Sequence, residues 1–246
     1  MLFFLACLQN QPAPQEPVKT PSSIESPKTV VPTEKTIAVH HAGKLFEMMH
    51  YGDISAKISL QEFSTQAHIY ALGAEENLKG EVMIWDSTPL ISHNNNGNVE
   101  VMSTFDTHAT LLVYATVAQW IEVGTIQGPD ITSLETMIAD HAHKNGWKQD
   151  APFPFLLKGK VKSMTWHVID WKEGMKHSHE NHISSGAHGT KEGDMVDILG
   201  FYSTKHKAIW THHSVNSHMH VRLADNTFSA HVDALEADSL SLWLPQ

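Results

Sequence analysis

The chain has 246 residues, 41% of them hydrophobic, with seven tryptophans, enough to bury one substantial core or two small lobes. Its 17 basic and 27 acidic residues give a formal charge of −10 with no basic stripe, which argues against nucleic acid as a partner. No apolar run reaches about 18 residues, so no helical membrane span is predicted, and a single cysteine excludes an intramolecular disulfide.

At the start, Leu2-Phe3-Phe4-Leu5-Ala6-Cys7 looks like the end of a bacterial lipoprotein signal, with a small residue before the cysteine. The apolar run is short and lacks a charged region, as though the true start lay upstream. Residues 1–7 are read as a truncated signal remnant and Cys7 as a candidate lipid anchor. The protein is then expected to be exported, periplasmic or at the cell surface; if residues 1–7 are no signal, it is cytoplasmic. Residues 8–36 carry Pro12, Pro14, Pro17, Pro21, Pro27 and Pro32 among polar residues, a composition that cannot bury enough surface to fold and suits an extended tether. A globular domain is expected over 37–246, with an N-lobe at about 37–150 and a C-lobe at about 151–246.

Within it, Ser59 to Ala67 reads as a short helix after a Tyr51-Gly52-Asp53 turn. Glu81 to Ile84 and Val99 to Met102 read as strands flanking the Asn94–Asn98 turn region. Leu111 to Val123, rich in β-branched and aromatic residues, reads as a strand or in part a helix. Thr132-Ser133-Leu134-Glu135 has the form of a capping box opening a helix that Gly146 ends. Phe155 to Trp171 reads as a long strand bent at Gly159, with Val161, Ser163, Thr165, His167 and Ile169 on one side. Short strands and few helices make this a β-rich α+β protein.

The strongest functional pattern is H-x-H-x10-H at His218, His220 and His231. His218 to Leu223 alternates as a strand does, which puts both histidines on one face. Asp225-Asn226 is a good turn pair, and a hairpin closed there sets His220 opposite His231 and His218 opposite Asp233. Met219, Val221 and Leu223 then face Val232, Ala230 and Phe228 on an apolar side. Imidazoles so placed lie about 5 Å apart across strands and about 7 Å apart along one. Three neutral imidazoles are the ligand set of an open zinc site, although nickel, cobalt, copper and iron also accept imidazole. Asp233 is either an acceptor for a ligand N–H or the end of the strand. A second cluster, His177, His179, His182 and His188, falls in a Gly/Ser-rich stretch and is read as an exposed insertion in preference to a metal-gathering arm or lid. One of His212 and His213 is a candidate for the pocket lining.

Together these pieces resemble the acetolactate decarboxylases. The matching stretches are Leu78-Lys79-Gly80-Glu81, Gly200-Phe201-Tyr202-Ser203, the triad His218, His220 and His231, the Tyr51-Gly52-Asp53 turn and Leu244-Pro245. The resemblance spans roughly residues 45–245 in consistent order. It implies a two-lobed, β-rich mixed α/β fold with a Zn2+ site on a β-hairpin between the lobes. It also implies decarboxylation of 2-acetolactate, or a related 2-hydroxy-3-keto acid, to acetoin, with Glu81 holding a water or shuttling a proton. Two positions depart from the family pattern. The family's arginine corresponds, counting from Gly159, to His167, a candidate replacement as cation or proton donor. The family's late glutamate has no counterpart before Gln246.

Expected partners are a small-molecule substrate, a lipid anchor at Cys7 and a second copy in a homodimer. The alternatives are a diverged enzyme with other metal-dependent chemistry and a non-catalytic exported metal-binding lipoprotein. A cupin is disfavoured because Arg222, Leu223 and Ala224 stand where a glutamate is expected.

Overall fold

A computed structural model of the chain describes Leu2 and residues 34–246; Cys7 and the tether up to residue 33 lie outside the described residues. Lys35 is already part of the folded unit, donating its N–H to Gly146 O at 2.8 Å, so the domain begins before the expected residue 37.

The chain forms two seven-stranded antiparallel sheets. The first holds β1 (His40–Ala42), β2 (Ile58–Ser59), β3 (Ile69–Glu75), β4 (Glu81–Trp85), β5 (Thr88–Asn95), β6 (Asn98–Met102) and β7 (His108–Thr116). The second holds β8 (Trp120–Gln127), β9 (Phe153–Val168), β10 (Ala187–Lys191), β11 (Met195–Tyr202), β12 (Ser217–Arg222), β13 (Ser229–Ala237) and β14 (Ser239–Pro245). Helices are few: α1 (Leu45–Tyr51), α2 (Ile131–Lys144) and α3 (His179–Ser184). None of the described helices is long and apolar enough to cross a membrane.

Strand alternation sorts the core into layers. In β3 and β4, Tyr70, Leu72, Met83 and Trp85 pack with Leu199 and Phe201 of β11, while Ile69, Ala71, Val82 and Ile84 form a separate cluster with Leu60 and Phe63. The first set joins the facing surfaces of the two sheets; the second covers the far side of the first sheet. Glu81 shares the parity of Met83 and Trp85, so it points at the second sheet. In β12 and β13, Met219, Val221, Ala230 and Val232 pack with Leu134 and Ile138 of α2 on the other side of their sheet. The histidines between them therefore face the first sheet.

Several expectations change. Residues after Ser59 form a single 3-10 turn, Leu60–Phe63, while the helix lies before the Tyr51-Gly52 turn as α1, ended by Gly52 at φ 65°. Leu111 to Val123 is two strands, β7 and β8, which belong to different sheets. The change of sheet thus falls between Thr116 and Trp120, ahead of the lobe division expected at 150/151. In β9, a register shift between Val161 and Ser163 moves Val161 to the side of Met164 and Val168, away from His167. The α2 cap is Asp130 with Ser133, two residues earlier than the motif starting at Thr132.

Gly80 is required by close packing. A Cβ there would lie 2.4 Å from Ser92 O and 2.6 Å from the His93 ring. That ring is held by Glu75, whose Oε2 lies 2.6 Å from His93 Nε2, and Thr107 donates to the other Glu75 oxygen at 2.6 Å. The hydrogen bond to Glu75 raises the His93 pKa above 6.5. Burial opposes ionisation of Glu75, but the bonds from His93 and Thr107 outweigh it and hold the carboxyl below 4.5. The carboxylate's contribution is complete above its unfolded value and is lost as pH falls through its folded one; the imidazole's is complete below its unfolded value and is lost as pH rises through its folded one. Their stabilisation is therefore greatest between about 4.5 and 6.5. His93→Gln should lower Tm most near pH ~5.5 and least above pH ~8.5; a deficit independent of pH would contradict the ion pair.

Candidate functional site

The β12–β13 hairpin has the register its sequence implies: His220 pairs with His231, Val221 with Ala230 and Arg222 with Ser229. The loop is longer than two residues, closed by Leu223 N–H to Phe228 O at 3.1 Å, with Asn226 at φ 60°. Because Asp225-Asn226 stays at its centre, the register is preserved. The rings of His218, His220 and His231 lie 5.1 to 5.5 Å apart between centroids.

His218 does not pair with Asp233. The ladder between β12 and β13 stops at His220–His231, and Asp233 is the extra residue of a β-bulge against β9. The bulge keeps Asp233 on the side of His231 and turns its carboxylate into the site. Beyond it, His167 on β9 pairs directly with His231, with ring centroids 4.6 Å apart. His167 Nδ1 lies 2.8 and 2.9 Å from the two Asp233 oxygens. A carboxylate only accepts, so this nitrogen carries the proton and donates. His231 Nδ1 lies 3.2 Å from Asp233 Oδ1. Both imidazoles draw the Asp233 carboxyl far below its usual range despite burial.

Glu81 approaches from the first sheet. Two successive left-handed residues, Asn77 at φ 58° and Leu78 at φ 52°, lead into it. That conformation costs a non-glycine residue energy, here offset by burial of Leu78 and by Trp171 N–H donating to Leu78 O at 2.9 Å. Glu81 is 4% exposed. Its oxygens lie 3.5 Å from His220 Nε2 and 3.7 Å from His167 Nε2, and Ile169 N–H donates to it at 3.3 Å. Burial dominates and pushes its pKa up to about 8. Burial also pushes His167 down to about 4 and holds His218 and His220 well below 6.5, so these three are neutral near pH 7. For His231 burial acts the same way, but Asp233 and Glu81 outweigh it and raise the pKa.

Among the described residues, one set of three donors already lies within 4.8 Å of one another: His167, His231 and Asp233. The H-x-H-x10-H triad shares only His231 with that set. Among the described residues, His220 has both ring nitrogens buried without a hydrogen-bond partner, and His218 Nδ1 is likewise unsatisfied. Unpaired buried imidazole nitrogens are costly. Neutral rings with unused lone pairs are the donor form that a transition metal takes; His218 and His220 already have it, and His231 gives up its proton when an ion binds, so the residues fit such an ion.

Most of these groups border a cavity of about 260 Å³; His220, fully buried, does not line it. Its wall includes Glu81, His167, His218, His231 and Asp233, apolar Met48 and Trp210, and no lysine or arginine. His179, His182 and His212 also line it, so part of the second histidine cluster belongs to the pocket, with His179 exposed as expected and His182 half-buried. His188 does not; it pairs with His167 across β10 and β9 and is exposed. His213, too, is exposed. Glu135 was assigned to a capping box. Freed from it by the earlier cap, its Oε1 accepts from Asn216 N, Ser217 N and Ser217 Oγ at 2.8, 2.7 and 2.6 Å. It fixes the start of β12 one residue before His218.

No family model matches the chain, and no curated protein matches it in sequence. Its structure is similar to that of alpha-acetolactate decarboxylase from Bacillus subtilis strain 168, with a TM-score of 0.65 at 10% identity over 85% of each chain. It is similar also to acetolactate decarboxylase from Bacillus subtilis subspecies spizizenii (TM-score 0.64, 12% identity, 85% of this chain and 86% of that one). A third neighbour is a protein of unknown function similar to alpha-acetolactate decarboxylase, from Staphylococcus aureus (TM-score 0.64, 14% identity, 85% of this chain and 84% of that one). The chain has the β-rich fold of these proteins.

Glu135→Ala leaves two backbone N–H groups at the start of β12 without an acceptor. It should cost roughly 3 kcal/mol, seen as a fall in Tm of about 6–12 °C. A fall of less than ~1 °C would show that the carboxylate does not hold the strand.

Proposed function

We propose that the protein is a metal-dependent carboxy-lyase acting on 2-acetolactate or a related 2-hydroxy-3-keto acid, giving acetoin and CO2. The observation that carries this reading is the buried Glu81 carboxyl, set against the neutral imidazoles of His167 and His220 on a scaffold shared with acetolactate decarboxylases. His218, His220 and His231 would hold the ion, which we take to be Zn2+. Asp233 would orient rings of the site, since His167 Nδ1 donates to both its oxygens and His231 Nδ1 lies 3.2 Å from Oδ1. When bound, the metal supplies Lewis-acid stabilisation of the negative charge that develops as CO2 leaves.

The chain's own groups account for the proton. Cleavage of the bond to the carboxylate leaves its electron pair on the substrate carbon, and a C–H bond must form there. Glu81 is the donor: burial raises its proton affinity to near neutrality, so it can hold and release a proton at physiological pH. A dication in the pocket shifts it toward the carboxylate form, and solvent returns the proton after turnover. His167, oriented by Asp233, turns Nε2 toward Glu81 and positions that carboxyl. Because burial keeps His167 neutral, it does not replace a guanidinium as a resident cation.

The lack of lysine and arginine in the wall favours one second reading: metal-dependent hydrolysis or lyase chemistry on an uncharged carbonyl compound. Purified protein given racemic acetolactate should form acetoin, lose the activity on chelation and regain it with zinc. Bound zinc without acetoin favours the second reading, and neither zinc nor acetoin overturns both. Glu81→Gln should keep the metal and lower turnover about 100-fold or more; an unimpaired rate would make Glu81 structural.

A further inference from the structure

The pocket carries imidazoles that the reaction above does not use. His179 and His182 are three residues apart in α3, within one turn and on one face. His212 stands across from His179, with ring centroids 5.3 Å apart. All three line the same cavity as His167, His218 and His231. Of the histidines in this region, His177, His188 and His213 do not line it.

Two of the three are also held from behind, as metal-binding imidazoles are. His177 Nδ1 lies 3.0 Å from His182 Nε2, and His177 is itself stacked on Trp171 at 4.2 Å. That contact occupies one nitrogen of His182 and leaves Nδ1. His212 Nδ1 lies 2.8 Å from Ser214 Oγ, which leaves Nε2. His179, the third, is exposed, which leaves its ring room to turn about its side-chain bonds. The His179–His212 ring separation of 5.3 Å falls within the 5.1 to 5.5 Å of the inner triad.

We infer that His179, His182 and His212 form a second transition-metal site at the mouth of the pocket, separate from the inner triad. It takes an imidazole-preferring divalent ion such as Zn2+, Co2+ or Ni2+. It binds more weakly than the inner site, because His179 must be ordered on binding. Loss of the outer site leaves the inner one intact, since no residue is shared.

The test is titration of the metal-free full chain with Co2+, followed by visible absorption and calorimetry. The expected result is two classes of site, one tight and one weaker. The H179A/H212A double variant should lose the weaker class, with at least a tenfold loss of affinity for the second equivalent, and retain the tight one. Circular dichroism on the same sample checks that the variant is folded. A single class in the unsubstituted protein, or survival of the weaker class in the double variant, would overturn the inference. Neither readout depends on acetoin formation, so this site and the proposed reaction stand or fall separately.

Discussion

One buried carboxyl group fixes the geometry of the site. Glu81 lies on the inward face of the first sheet, at the head of β4, and its surroundings come from the second sheet. The segment after β9 is bound to the turn before Glu81 by Trp171 N–H to Leu78 O at 2.9 Å and by Lys79 Nζ to Trp171 O at 2.6 Å. Ile169 N–H reaches Glu81 itself. These links hold the facing sheets in one register, so the carboxyl is withdrawn from water, an effect that outweighs the opposing charge of His231. The raised proton affinity follows from that placement.

The second sheet answers with a departure from regularity. A uniform ladder would carry Asp233 past the site as an ordinary strand residue. The bulge adds one residue to β13, reverses the alternation after it and lets Asp233 serve His231 and His167 together. Its apolar side continues after the bulge with Leu235 and Ala237 in the same cluster as Val232, so the core is undisturbed. The irregularity thus separates the needs of packing from those of the pocket.

Much of this was legible in the residues. The alternation of His218 to Leu223 and the Asp225-Asn226 turn specify the hairpin register, because a slip of one would expose Met219, Val221 and Ala230. What could not be read depends on distant partners. Nothing local in Thr165-Trp166-His167 tells that His167 will pair with His231, since the pairing is set by sheet order. The split of Leu111 to Val123 between two sheets turns on Val117 N–H reaching His68 O, a contact far away in sequence. The cap of α2 was misplaced because Asp130 and Thr132 both suit the position, and only docking onto β12 shows why Glu135 is needed elsewhere. The Gly/Ser-rich setting of His177 to His188 hid the short helix α3 that turns two of those rings into the cavity.

The central claim is that the imidazoles of His218, His220 and His231, beside Glu81, are metal donors. X-ray absorption at the zinc edge tests it most directly, on the full chain loaded with a single equivalent of zinc. The account predicts the scattering of three imidazoles with Zn–N at about 2.0–2.1 Å. A shell of oxygen atoms alone, without imidazole scattering, would contradict it.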